Sequence, residues 1–355
     1  MYLLLILCFI FTLSNNIFAA TCQDAYKYTN GIITSGYTDY YTIGEPNVIY
    51  EDGTWDLFAR TCTENCGVYD QGGVKHWTSS NGINWTKVSD NYVITGYQQP
   101  NVVKMGSEYW MYATKVIGCS GTARCQIDLY ISTDKNIWTL DTADVIPLTE
   151  GSQYGNHTVW KEEDTYHMVY EYLSGDWVMG RATSPTGKGS WTKHGGITMP
   201  GTTGAGGPFV KKVDSTYYLF YHGGSPAIPS DIYVCKSTDL VTWTGPSGGN
   251  CQKVISRTVT WEGLNSSLGQ VADTYLVSYG NSTYMYYTGQ YNQGPYNVNP
   301  IRLGLAIIPI PTDTVAHMNY FLNCTLGDWG GSMNLGLGGG VANIGGSGGT
   351  INLGE

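Results

Sequence analysis

Glu45–Ala59 reads EPNVIYEDGTWDLFA, and the fold turns on this stretch because it recurs. Four segments align with it without a gap: QPNVVKMGSEYWMYA from Gln99, NHTVWKEEDTYHMVY from Asn156, GPFVKKVDSTYYLFY from Gly207 and DTYLVSYGNSTYMYY from Asp273. Each has an aliphatic residue at offset three (Val48, Val102, Val159, Val210, Leu276) and Leu or Met at offset twelve (Leu57, Met111, Met168, Leu219, Met285). A short polar stretch such as Glu51-Asp52-Gly53 lies between them, the pattern of a hairpin turn joining two strands.

A second element follows most copies: a strand, a Ser/Thr-Asp/Asn turn and a Trp. It reads TSSNGINW to Trp85, ISTDKNIW to Trp138 and KSTDLVTW to Trp243, with a longer form, ATSPTGKGSW, to Trp191. In the fifth copy IRLGLAIIPIP supplies the strand without the Trp. Each unit is therefore expected to form four antiparallel strands. Repeat starts lie 54, 57, 51 and 66 residues apart, the spacing of β-propeller blades, whose faces bury one another. The expected fold is all-β: a five-bladed propeller over 21–325, with a β-sandwich as the alternative. Residues 326–355 are Gly-rich and repeat Asn-Leu/Ile-Gly at Asn334, Asn343 and Asn352, which predicts a flexible tail or the start of a packed repeat.

Composition agrees. Only 13% of the 355 residues are charged, while Gly occurs 47 times, Tyr 29 and Trp 11, which favours strands and turns over helices. The net charge of −10 leaves no basic surface for nucleic acid. Residues 2–13, YLLLILCFIFTL, followed by Ala19-Ala20, read as a secretory signal peptide over 1–20. The mature chain is then expected to be secreted, extracellular or periplasmic, without a transmembrane segment, and monomeric. Eight cysteines remain, and closeness in sequence favours Cys62–Cys66, Cys119–Cys125 and Cys235–Cys251, leaving Cys22–Cys324. Zinc on Cys62-x3-Cys66 is the competing reading, but no second Cys or His pair supports it.

The openings Glu45-Pro46 and Gly206-Gly207-Pro208-Phe209, with the Ser/Thr-Asp…Trp turns, resemble the five-bladed propellers of glycoside hydrolase family 43 and the related invertase and levansucrase families. The resemblance spans nearly all of the mature chain except the tail. It implies sugar cleavage at the mouth of the central channel, by an Asp base on the first blade, an Asp on the third that tunes pKa, and a Glu general acid on the fourth. The matching positions here are Glu45, one methylene longer, Asn156, which cannot ionise, and Gly206. Relatives can hold a channel calcium ion, but this sequence shows no dedicated ligand set, so no cofactor is expected.

Glycoside hydrolysis generally needs two carboxyl groups, so substitutes are sought among the repeats. Offset zero begins each inner strand and should ring one end of the channel with Glu45, Gln99, Asn156, Gly207 and Asp273. Offset fifteen returns to that end with Arg60, Thr114, Glu171, His222 and Thr288. Glu171 is the candidate general acid, Glu45 the candidate base and Asp273 a second carboxylate. Glu150 and Glu262 are weaker candidates. Gln99, Asn156 and His157 suit sugar hydroxyls, and Arg60 or His222 could hold an ionised partner or a hydroxyl. Trp160, Trp177, Trp261, Tyr97 and Tyr154 are candidate stacking platforms. The expected function is a secreted glycoside hydrolase acting on a furanose- or xylose-containing polysaccharide or oligosaccharide. The alternative is a catalytically inactive carbohydrate-binding or adhesive propeller at the cell surface. A sialidase-like enzyme would need an Arg cluster, and the chain has five Arg without a suitable pattern.

Overall fold

Opposite each offset-three aliphatic stands the offset-twelve residue of the same repeat. Val48 faces Leu57, Val102 faces Met111, Val159 faces Met168, Val210 faces Leu219 and Leu276 faces Met285. The repeat that sequence alone displays is therefore a cross-strand pair, formed five times. The computed structural model describes residues 26–28, 32, 42–62, 72–116, 126–223, 230–263, 269–291, 301–308, 312–315, 317–318, 322, 332–333, 341–344 and 349–352. Among them lie five sheets, each built on a four-stranded antiparallel blade, arranged as a five-bladed propeller.

Blade 1 comprises Thr42–Glu51, Thr54–Cys62, Gly73–Ser79 and Thr86–Lys87, with Ile94–Thr95 also pairing with the third strand. Blade 2 comprises Tyr97–Met105, Glu108–Lys115, Gln126–Ser132 and Thr139–Thr142. Blade 3 comprises Tyr154–Glu162, Thr165–Ser174, Asp176–Ser184 and Thr192–Ile197, and blade 4 Ala205–Val213, Thr216–Gly223, Asp231–Ser237 and Gln252–Ile255. Blade 5 takes Gly269–Tyr279, Ser282–Tyr291 and Arg302–Ile308 from the fifth repeat and its fourth strand, Tyr26–Tyr28, from the other end of the chain. Tyr26 pairs with Ile307 and Lys27 with Ala306, closing the ring. Ser332–Met333 runs parallel to that strand, and Val341–Ile344 and Gly349–Asn352 continue the sheet outward.

An apolar layer fills each seam between neighbouring blades. At the blade 1–5 seam Trp55, Leu57 and Trp77 meet Tyr286, Leu303 and Leu305. Between blades 2 and 3, Tyr112 and Leu129 meet Val159 and Met168. Trp55 and Leu57 are fully buried, and truncating side chains of this size in a core costs about 2–5 kcal/mol each. The Ser/Thr-Asp/Asn turns are fixed by their own side chains. Ser237 Oγ accepts the Asp239 and Leu240 N–H groups, and Asp239 Oδ1 accepts those of Val241 and Thr242. Ser79–Asn81 and Ser132–Asp134 repeat the device. It turns the chain so that Trp85 and Trp243 tuck into the apolar layers, which makes these tryptophans structural.

Cys235 and Cys251 form the expected disulfide. Cys62 is disulfide-bonded too, while its expected partner Cys66 lies outside the described residues. So do Cys22, Cys119, Cys125, Cys324 and the leader over 1–20. No described helix is long and apolar enough to cross a membrane.

Candidate active site at the channel mouth

The inner strand of each blade loses register at the same place. The breaks fall between Gly44 and Asn47, Gln98 and Asn101, Tyr154 and His157, Gly206 and Phe209, and Ala272 and Tyr275. An extra residue in one strand bends it and re-aims its side chains. The offset-zero residue sits in that bulge, and at Glu45, Gln99, Gly207 and Asp273 its φ is +55°, +56°, +59° and +50°. For a residue other than Gly this left-handed backbone costs about 1–2 kcal/mol. The fold sustains it at three such positions around one ring.

The bulges line a cavity of about 30 Å³ with Glu45, Asn156, Gly207 and Asp273, the offset-one residues Pro46, Pro100, His157, Pro208 and Thr274, and the offset-two residues Asn47, Asn101, Thr158, Phe209 and Tyr275. That volume holds a few water molecules at most. Glu45 and Asp273, from blades that adjoin where the ring closes, both face it. Glu45 Oε1 accepts from Arg60 Nη1 at 3.2 Å, and Oε2 accepts the Gln99 N–H at 2.7 Å. A carboxylate has about four acceptor positions, so others stay open. Asp273 Oδ1 accepts from Asn156 Nδ2 at 2.6 Å, and His222 Nδ1 lies 3.5 Å from the same oxygen.

Glu171 stands behind this wall. It is 4% exposed, and its Oε2 accepts the N–H groups of Asn156 (3.2 Å) and Gly207 (2.9 Å). Two other offset-fifteen residues also reach across seams: Thr288 Oγ1 accepts the Glu45 N–H at 2.8 Å, and the Thr114 hydroxyl donates to the Gly155 carbonyl at 3.2 Å. Gln99 contributes its backbone to Glu45, and Arg60 its guanidinium.

His157 lines the cavity while its ring packs into the blade 2–3 seam, with Nδ1 3.5 Å from Thr114 Oγ1. Burial lowers its pKa to about 4, against backbone hydrogen bonds to Tyr112 and Gly155 that work the other way. The weaker acids lie elsewhere. Burial pushes the Glu150 carboxyl up, but Lys193, Tyr170 and Thr149 outweigh it and hold it at about 2. Glu262 is fully buried and accepts the Thr258 N–H (2.8 Å) and the Tyr287 hydroxyl (2.6 Å).

None of the five aromatics expected as platforms lines this cavity. Trp160 stacks on His167 and Trp261 on Tyr287, while Tyr97 and Tyr154 are buried. Its aromatic rings are Phe209 and Tyr275, with centroids 4.6 Å apart, which sequence reasoning missed. The alignment that located offset zero also locates them, two residues on. Among the described residues no group of three His, Cys, Asp or Glu side chains could hold a metal ion.

No protein-family model and no curated protein matches the sequence. Solved structures do match. The catalytic domain of a Coprinopsis cinerea GH62 alpha-L-arabinofuranosidase is 15% identical, over 80% of this chain and 96% of that one, with a TM-score of 0.56. A thermostable family-43 glycoside hydrolase is 16% identical over 79% and 91%, with a TM-score of 0.57. The fold is that of the five-bladed glycoside hydrolase propellers. An alpha-L-arabinofuranosidase from Podospora anserina, solved with cellotriose, shares it at 12% identity over 81% and 97%, with a TM-score of 0.58.

Proposed function

We propose that this propeller is a secreted glycoside hydrolase acting on a furanose- or xylose-containing polysaccharide or oligosaccharide at its channel mouth. The observation that carries the reading is that Glu45 and Asp273 face one cavity from adjoining blades. Cleaving a glycosidic bond takes one carboxyl group to protonate the leaving oxygen and a second to activate water or attack the sugar. Glu45 takes the base side, steadied by Arg60 and the Gln99 N–H. Asp273 supplies the second carboxyl group, oriented by Asn156. The alpha-L-arabinofuranosidases of the same fold favour an arabinofuranose-containing substrate. The Cys235–Cys251 disulfide favours an oxidising compartment.

The test is a panel of arabinan, xylan, fructan and aryl furanosides with wild type, Glu45→Gln and Asp273→Asn. Wild type is expected to turn over at least one, and each substitution to lower kcat by about 10²–10⁴-fold, the range for a general acid or base. Turnover unaffected by both substitutions would remove this pair from the mechanism. A second reading, a carbohydrate-binding propeller without catalysis, is favoured by the non-ionisable Asn156 amide that occupies Asp273 Oδ1. Binding without turnover across the panel would establish it.

A further inference from the structure

Three glycines at the mouth share a property: a Cβ on any of them would run into a carboxylate. At Gly155 it would lie 2.6 Å from Glu171 Oε2, at Gly206 2.7 Å from Glu171 Oε1, and at Gly207 2.6 Å from Asp273 Oδ1. Gly155 on blade 3 and Gly206 on blade 4 thus form the two walls of a slot fitted to the Glu171 carboxylate. Both N–H groups that satisfy Oε2 come from bulge residues facing the cavity, Asn156 and Gly207. From there Asn156 Nδ2 reaches Asp273 Oδ1.

A simple blade clamp does not need this arrangement. At the equivalent position of blade 5 the uncharged Thr288 hydroxyl takes the bulge N–H of Glu45. Burying a carboxylate where a hydroxyl suffices is expensive, and the slot accommodates it only by giving up side chains at two positions. We infer that Glu171 is a positioning residue for the reacting carboxylates: seated in its glycine-walled slot, it fixes the Asn156 and Gly207 bulges and, through the Asn156 side chain, the orientation of Asp273. The inference rests on the reading of Glu45 and Asp273 as the reacting pair.

An exchange of the carboxylate between the two walls tests it. Glu171→Ala is expected to lower kcat by about 10²-fold, the effect of misplacing a reacting group by roughly 1 Å, with KM changed by no more than about threefold. Adding Gly206→Glu returns a carboxylate to the slot from the opposite wall and is expected to recover at least about tenfold of the loss. Adding Gly206→Ala instead should recover none. Glu171→Gln, which keeps an acceptor oxygen, covers the case in which the Ala variant fails to fold, and should fall between wild type and Ala. Unchanged kcat in a less stable Glu171→Ala or Glu171→Gln protein would overturn the inference and leave Glu171 a blade clamp. So would an exchange that restores stability but not turnover. If wild type cleaves no glycan, the hydrolase reading fails by itself. Crystal structures then decide the inference: an Asn156–Asp273 contact kept without the Glu171 carboxylate overturns it, and one lost upholds it.

Discussion

The two ends of the channel neutralise their carboxylates differently. At the end away from the mouth, Glu51 on blade 1 takes Lys104 and the Tyr109 hydroxyl of blade 2. Glu162 on blade 3 takes Lys212 and the Tyr217 hydroxyl of blade 4. Both are offset-six acids met by the offset-five Lys and offset-ten Tyr of the next blade. At the mouth the partners are mainly backbone N–H groups and an amide, with Arg60 and His222 as the nearby side-chain bases. Ammonium groups compensate charge outright. Backbone N–H groups and amides orient a carboxylate while leaving lone pairs for another occupant. One end is stitched and the other is set.

Substitutions break that contrast with effects of graded size. The largest follow from the mouth carboxylates, where Glu45→Gln and Asp273→Asn are expected to remove most turnover, as described above. Gly207→Ala comes next, since it places a methyl group 2.6 Å from both Asp273 Oδ1 and His222 Nδ1 on a backbone at φ +59°. It should destabilise by about 2–4 kcal/mol in denaturant unfolding, and a neutral result would mean the mouth is loosely packed. His157 gives a pH effect. Its folded pKa is lowered to about 4, below the ordinary value near 6.5, so between these values the unfolded chain binds a proton that the folded one does not. Stability should then be full above about pH 6.5 and fall as pH drops towards 4. A flatter dependence of Tm on pH in His157→Gln would confirm the assignment. The smallest change belongs to the far end. Glu162→Gln should cost about 0.2–1 kcal/mol, as exposed ion pairs do, and leave turnover untouched. A loss of activity there would show that the two ends are coupled.

The blades were legible in sequence because their pairing is local: each Val48–Leu57 type of contact joins residues nine apart in one hairpin. The ring of bulge residues followed from the same offsets, as did Glu45 and Asp273 at the mouth. What the alignment could not express was Glu171. Offset fifteen placed it at the correct end, but whether its carboxylate faces solvent or a wall depends on the missing side chains of Gly155 and Gly206, which a residue-by-residue reading counts as absences. Phe209 and Tyr275 escaped notice for a different reason. In a chain this rich in aromatics, only the bulge distinguishes two rings at the cavity from those between blades.

The pairing of Tyr26 with Ile307 also bears on how the molecule is made. Hairpins within a blade can form as soon as their residues leave the ribosome. The strand that completes blade 5 is synthesised first and must wait for nearly all of the remaining blades. Until then its backbone groups and the faces of blades 1 and 5 stay open to other chains. Contacts of such long sequence separation form slowly, and unpaired edges invite misassembly. Ring closure is thus the natural last step of folding, and the interval before it is when this protein most needs protection.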